Sequence, residues 1–427
     1  MASEGGARLT DGDRARAETW PALVVLIALT AMAPLSVDMF LPSMPAMADE
    51  FATRESNLQL AVTLFIVCFA GSQLFYGPAS DRYGRRPLLL VGLTIFVAGS
   101  LVALSATSVW MLLVGRILQG LGGGAGPVVG QAIVLDVYGR ARAGRVIAYM
   151  AIALPLAPAI APIIGGVLHD AFGWHAVFVA LAVTGVVLGV AYRVLLPETN
   201  RRSGGRGPGD ASLAADYRKL LASRTFCTYA LILGLMFGGQ LVFISSSSFV
   251  LIDELGLSAR AYGFSFAFVA AGIMGGATLS ARLVTRTSPH RSVMVGVSTA
   301  AAGAAIMALA AWSGANHVAA VLLPMFLVAL GLGMTRAPAT ASALVPFTGM
   351  AGLAAATLGF TQMLIASAYN ISYSQIVEAG TATLATGVFL SVLASLLVVL
   401  VLRPGRSVGP GGVSGMVPVA AEDYEQA

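Results

Sequence analysis

Twelve stretches of this chain each run for about 20 residues almost without a charge, and that repetition restricts the fold more than any other feature. A helix needs about 20 mostly apolar residues to cross roughly 30 Å of hydrocarbon. In hydrocarbon every backbone N–H and C=O must be satisfied within the segment, so such runs are read as helices. They fall near 20–42, 57–78, 88–106, 109–131, 146–167 and 175–196, then near 226–251, 260–282, 291–312, 317–339, 346–370 and 380–402. Composition explains why water is not the solvent: 57% of the residues are hydrophobic and 11% charged, where a soluble domain carries roughly 25% charged residues. The expected fold is therefore all-α and membrane-integral, with about twelve transmembrane helices. The run starting at Trp20 exceeds twenty residues and lacks a small-residue cleavage site, so it reads as a first span and not as a signal peptide.

An even number of spans puts both termini on one side, and the loop charges say which. With a cytoplasmic N-terminus, twenty-one Lys and Arg fall in inside segments and two, Arg54 and Arg260, outside. By the positive-inside rule both termini face the cytoplasm. The net charge of +5 is thus an orientation signal, and no nucleic-acid partner is expected; the lipid bilayer is. The longest interior break, 197–224, is basic and contains the Gly-rich run 203–210. It divides the chain into an N-terminal tail 1–19, a six-helix bundle 20–196, a cytoplasmic linker 197–224, a second six-helix bundle 225–403 and a disordered cytoplasmic tail 404–427. Two bundles joined by such a linker are the layout of proteins in which one bundle rocks against the other.

Several chemistries are not expected. Cys68 and Cys227 lie in apolar stretches without metal-ligand spacing, and His169, His175, His290 and His317 are far apart, so no metal site is read here. No Gly-rich phosphate loop with a following Lys is present, and no cofactor is expected. Nucleophile, base or metal ligands at matching depth, as an enzyme would need, do not appear.

The most specific string is Gly77-Pro78-Ala79-Ser80-Asp81-Arg82-Tyr83-Gly84-Arg85-Arg86-Pro87, between the second and third runs. It combines a tight turn with clustered charge where a span meets water, and Asp81 could cap the next helix or pair with a basic residue. The string resembles the loop signature of the major facilitator superfamily. Val37-Asp38-Met39-Phe40-Leu41-Pro42, Gly115-Arg116-Ile117-Leu118-Gln119-Gly120 and Ala161-Pro162-Ile163-Ile164-Gly165-Gly166 resemble, more narrowly, segments of the bicyclomycin/chloramphenicol-type drug:proton antiporters. The resemblance covers essentially all of the first half and, more loosely, the second. It implies a major facilitator fold, with a conformational switch built from Gly77, Asp81, Arg82, Gly84, Arg85, Arg86 and Asp136 and from Pro162, Gly165 and Gly166. Alanine stands at 148, 157 and 161, where the antiporter signature usually has glycine, and the second-half copy of the loop keeps Gly275, Gly276, Arg282 and Arg286 without an acid.

A charge within the bilayer costs several kcal/mol unless paired or hydrated, which makes Asp38 and Arg116 the functional candidates. Taking the first span to end at 42 and the fourth to begin at 109, both lie ~6–10 Å below the outer surface. Asp38 either exchanges a proton under the influence of Arg116, or binds substrate directly, or forms a static pair with it. Gln119, Gln240 and Gln362, with Phe237 and Phe243, are candidates for lining a substrate cavity, since an amide facing lipid is expensive; packing is the alternative for each aromatic. The serines 245–248 are expected to bond between helices or to their own backbone. The resemblance implies a monomeric secondary transporter of a bacterial cell membrane that expels small amphipathic drugs in exchange for protons; a specific metabolite or sugar transporter is the alternative.

Overall fold

The computed structural model describes residues 17–200, 213–377 and 380–402. Most of the tail 1–19, the run 203–210 and all of the tail 404–427 lie outside the described residues. The elements are α1 (Trp20–Asp38), a 3-10 turn (Leu41–Ser43), α2 (Met44–Glu50), α3 (Glu55–Tyr83), α4 (Arg85–Leu104), α5 (Val109–Gly123), α6 (Ala125–Phe172) and α7 (His175–Leu195). After the short α8 (Leu213–Ala222) come α9 (Arg224–Ser248) with a π-helical end (Phe249–Glu254), α10 (Ala259–Val284), α11 (Pro289–Trp312), α12 (Val318–Leu344), a 3-10 stretch (Val345–Met350), α13 (Ala351–Ser374) and α14 (Thr381–Leu402). Among the described residues, eleven helices are long and apolar enough to span, and Leu156–Phe172 is a shorter apolar one. No strand occurs among the described residues. The fold is two six-helix bundles.

Three boundaries differ from the sequence reading, for local reasons. The first span does not stop at Pro42: it runs on to Glu50. Pro42 and Pro45 occupy first-turn positions of the 3-10 turn and of α2, where a missing N–H costs nothing, so the chain continues as helix past them. Asp38 therefore ends α1 twelve residues before Glu50, ~18 Å of helix rise from that end, deeper than the ~6–10 Å expected. The fourth span runs from Val109 to Gly139, where φ of 67° and ψ of 167° at Gly139 break α6 before the fifth begins. The eleventh helix starts at Ala351, the preceding residues being 3-10.

Within each half, helices meet backbone to backbone. A Cβ added at Gly99 of α4 would lie 2.7 Å from the Gly115 carbonyl oxygen of α5, and one at Gly115 2.9 Å from that of Gly99. The second half repeats the device: a Cβ at Gly296 of α11 would lie 3.0 Å from the Gly331 oxygen of α12, and one at Gly303 2.7 Å from the Pro324 oxygen. In lipid, apolar burial gives little drive for association, so close van der Waals contact of this kind holds helices together.

Between the halves the contact is one-sided. Let the basic face be the one bearing Arg82, Arg85 and Arg86 at the turn after α3, and the far face its opposite. At the far face Asn370 of α13 donates its Nδ2–H to Thr63 Oγ1 of α3 at 2.8 Å. The Gln375 amide reaches the Ser56 carbonyl at 3.5 Å. A Cβ at Gly263 of α10 would lie 2.7 Å from Ile163 Cα of α6. Gly359 and Gly352 share the Asn370 side of α13 at 100° per residue, yet a Cβ at either would meet nothing within 4 Å. The halves are thus closed at the far face and diverge toward the basic face.

Candidate functional site

Asp38 is 4% exposed and Arg116 wholly buried. Pro34 lies one turn before Asp38 inside α1 and removes a backbone hydrogen bond there. The two charges interact electrostatically, but no ion pair joins them among the described residues. The guanidinium is held otherwise. Its Nη1 donates to the Ser36 carbonyl (3.2 Å), to Ser36 Oγ (3.2 Å) and to Gln119 Oε1 (2.8 Å). Its Cζ stands 4.7 Å from the Phe40 ring centre and 4.6 Å from that of Phe65. A planar cation between two aromatic faces is stabilised by both quadrupoles, most strongly where water is absent. Nε and Nη2 make no hydrogen bond among the described residues. Gln119 in turn donates to Ser100 Oγ at 2.8 Å, which donates to the Phe96 carbonyl. The Gln119 amide is thereby committed to orienting Arg116 and is fully buried.

The other cavity candidates are dispersed. Gln240 is 5% exposed with an unpartnered Oε1. Phe237 packs at the core's edge, and Phe243 is buried 5.5 Å from the Phe266 ring, offering no free surface in this conformation. Gln362 is half-buried on α13. Of the serine run, Ser245 donates to Asn370 Oδ1 (3.0 Å) and to its own helix, and Ser247 shares a 2.9 Å bond with the Tyr262 hydroxyl of α10.

The turn at the basic face is a closed network. Arg85 pairs with Asp81 at 2.6 Å and with Asp136 at 3.2 Å, and reaches Ser80 Oγ. Asp81 thus pairs, and the cap of α4 comes from elsewhere: the Glu198 carboxylate accepts from the backbone N–H groups of Arg85 (3.0 Å), Arg86 (2.9 Å) and Asn200 (2.9 Å). Gly84 has φ of 99°, and a Cβ there would lie 2.9 Å from Glu198 Oε2, so glycine is required twice over. Arg86 donates to the Arg193 carbonyl, while Arg82 lies over the Tyr83 ring at 5.3 Å. Gly77 has ordinary clearance from Val128. Residues 162–166 of α6 form the junction between halves. A Cβ at Gly165 would lie 2.8 Å from the Met39 carbonyl carbon, and one at Gly166 2.8 Å from that of Ala259 across the seam.

Sequence reasoning missed Ser36, Phe40 and Phe65, which gain meaning only when α1, α3 and α5 are brought together. It also missed Glu198, Asn370 and Tyr262. Asn370 carried a usable signal, an amide within a span, the same one that singled out the glutamines.

Comparison with known proteins places this arrangement. Residues 26–370 match the family model of the Major Facilitator Superfamily. Multidrug resistance protein D of Escherichia coli (strain K12) is 30% identical over 387 residues, covering 90% of this chain and 95% of that protein. Multidrug resistance protein MdtL of Salmonella heidelberg (strain SL476) is 27% identical, covering 90% and 96%. Among solved structures, a peptide transporter POT in complex with sulfate superposes with TM-score 0.74 at 15% identity, covering 93% of this chain and 98% of that one. A D-xylose-proton symporter superposes with TM-score 0.70 at 16% identity, covering 89% and 97%.

Proposed function

This chain belongs to the Major Facilitator Superfamily, and on that premise we propose that it is a proton-coupled exporter of small amphipathic drugs. The observation that carries the reading is Asp38: a carboxylate buried deep in the first span, near Arg116 yet without an ion pair among the described residues. A fixed pair would hold its charge permanently. An unpaired buried carboxylate balanced between burial and a nearby cation can be charged in one state and neutral in another. Arg116, gripped by Ser36, Gln119 and two rings, sets that balance without moving.

The halves 20–196 and 225–403 are the units that rock, and the basic face is cytoplasmic, as the loop charges require. The arrangement described above is then inward-open. A drug enters from the cytoplasm and meets ionised Asp38; the far seam parts and the drug leaves; a proton from outside neutralises Asp38 and the halves return. Gln240 and Gln362 line the path, and the Asp81–Arg85–Asp136 network restrains the basic-face turn between states. The relatives' names as multidrug resistance proteins support drugs as the cargo.

The test is transport in everted vesicles bearing a pH gradient, with chloramphenicol, ethidium and tetraphenylphosphonium as probes. Addition of a substrate should dissipate the gradient in wild type and not in Asp38→Asn at equal protein level. A wild type that moves no proton for any probe, yet accumulates a sugar or other metabolite, refutes the reading in favour of a specific transporter.

A further inference from the structure

By sequence Arg336 counts among the inside loop charges. The structure puts it within a span: the tenth runs from Val318 to Phe347. Arg336 lies eight residues before the end of α12 at Leu344, ~12 Å of helix rise from that end. Its neighbours along the helix fix the side it faces. Met325, Ala329, Leu332 and Ala343 stand within about 40° of it at 100° per residue, and all four are buried. Leu323 and Val345, about 140° and 180° away, are exposed and mark the lipid side. On the flanks α12 meets its neighbours: a Cβ at Gly333 would meet the Ile273 carbonyl of α10, and one at Gly331 the Gly296 carbonyl of α11. Yet Arg336, on the inward stripe, is exposed.

An exposed side chain on a stripe whose other members are buried faces a cleft, and the fold supplies one. The halves diverge toward the basic face. Gly359 of α13 lies eight residues from that helix's own basic-face end at Ala351, and a Cβ there would meet nothing within 4 Å. The turn bearing Arg336 is held firmly. Pro338 removes the backbone donor that the Met334 carbonyl would otherwise have, and Ser280 Oγ of α10 supplies one at 3.0 Å. Thr335 is buried and donates to the Gly331 carbonyl at 2.8 Å. The guanidinium itself has no hydrogen bond, ion pair or ring against it among the described residues. Arg116 cannot take a ligand in its place, being wholly buried between two rings.

We propose that Arg336 is the anion-binding element of the transport path, and that the substrate is an amphipathic molecule carrying a carboxylate. A cation within a span is expensive unless hydrated or paired. A carboxylate that accepts two parallel N–H bonds from the guanidinium fork is the partner whose geometry fits it best. Asp38 lies deeper on the path, eighteen residues along α1 from Trp20 or ~27 Å of helix rise, so a carboxylate held by Arg336 stops short of that acid. A lipid headgroup phosphate offers the guanidinium similar chemistry, and the experiment separates the two. The inference names a substrate class for the exporter and rests on the reading of the cleft as the drug path.

The experiment is equilibrium binding to the purified full chain in phosphatidylcholine nanodiscs, without a pH gradient. The probes are two matched pairs: nalidixic acid with its methyl ester, and chloramphenicol hemisuccinate with chloramphenicol. A carboxylate should bind roughly tenfold or more tightly than its neutral partner, the worth of one charge-assisted hydrogen bond. Arg336→Gln should cut that preference by a similar factor. Arg336→Lys, which keeps the charge without the fork, should leave an intermediate value. The ratio is insensitive to general damage, which weakens both members of a pair alike. A ratio unchanged in Arg336→Gln overturns the proposal, and so does a wild type that prefers neither carboxylate. A preference that disappears when phosphatidylglycerol replaces phosphatidylcholine assigns the cation to a lipid headgroup and overturns it as well. Antiport stands or falls separately, on the vesicle experiment with Asp38→Asn.

Discussion

Substituting Gly166 by alanine tests whether the seam between α6 and α10 is the gate. The added Cβ would lie 2.8 Å from the Ala259 carbonyl carbon and 3.1 Å from Arg260 Cα. These are main-chain atoms that cannot rotate aside. Ordinary carbon contact begins near ~3.5 Å, so the closed seam must part by roughly 0.7 Å or carry an overpacking cost of about 1–3 kcal/mol. In the open seam the cost vanishes, because α10 has withdrawn. The ratio of open to closed far face should therefore rise about 5- to 150-fold, read as growth of the longer distance between spin labels at Ser56→Cys and Gln375→Cys. The neighbouring residue supplies the control. A Cβ at Gly165 would meet Met39, in the same half, so Gly165→Ala should lower thermal stability without shifting the distance distribution. Equal distributions for Gly166→Ala and wild type, with both proteins folded, would refute the assignment of this junction as the gate.

Three further outcomes follow from the same geometry. Asn370→Ala removes the bond to Thr63 across the seam, worth about 0.6 kcal/mol between membrane helices, and should raise the open ratio about threefold on the same labels. Glu198→Gln weakens the cap on α4 by about 1–2 kcal/mol; amide exchange at Arg85 and Arg86 should speed roughly 5- to 30-fold with the seam unmoved, and unchanged exchange would disprove the cap's role. Arg116→Lys keeps the charge but loses the planar fork and the fit between Phe40 and Phe65. Losing one charge-assisted bond costs about 1.5–3 kcal/mol, so gradient-driven proton release should fall at least tenfold, and a rate within twofold of wild type would show that charge alone suffices.

Most of the architecture was legible because a bilayer leaves a chain few choices: an apolar run of sufficient length becomes a helix, and the runs could be counted. What failed was local. Pro42 and Pro45 look like helix stops, and only their place at the first turn of new elements makes them starts, an ambiguity that displaced Asp38 in depth. Gly139, with its positive φ, ends the fourth span eight residues later than hydropathy placed it. That Asp38 and Arg116 lie buried within spans was legible from their place in apolar runs. That Arg116 binds Ser36 and two phenylalanines instead of forming an ion pair was not, since those partners lie on α1, on the turn after it and on α3. Glu198 was invisible for the same reason: its ligands are main-chain N–H groups more than a hundred residues away.

The distribution of polarity explains how the seam can be both closed and able to open. The buried charges Asp38 and Arg116 belong to the first half, and the buried bond that crosses the seam is neutral, from the Asn370 amide to Thr63 Oγ1. A buried ion pair spanning the seam would cost about 3–5 kcal/mol to break, since each partner would be left uncompensated. Neutral hydrogen bonds between membrane helices contribute about 0.6 kcal/mol each, so those from Asn370 to Thr63 and from Gln375 to Ser56 hold the seam yet yield to a comparable change in free energy. Inside each half the contacts are of another kind, glycine backbones pressed together at Gly99 and Gly115 and again at Gly296 and Gly331, which no change of protonation can loosen. What joins helices within each half is thus backbone packing without charge, whereas the α6 segment that forms the seam packs against Met39, the neighbour of the buried Asp38.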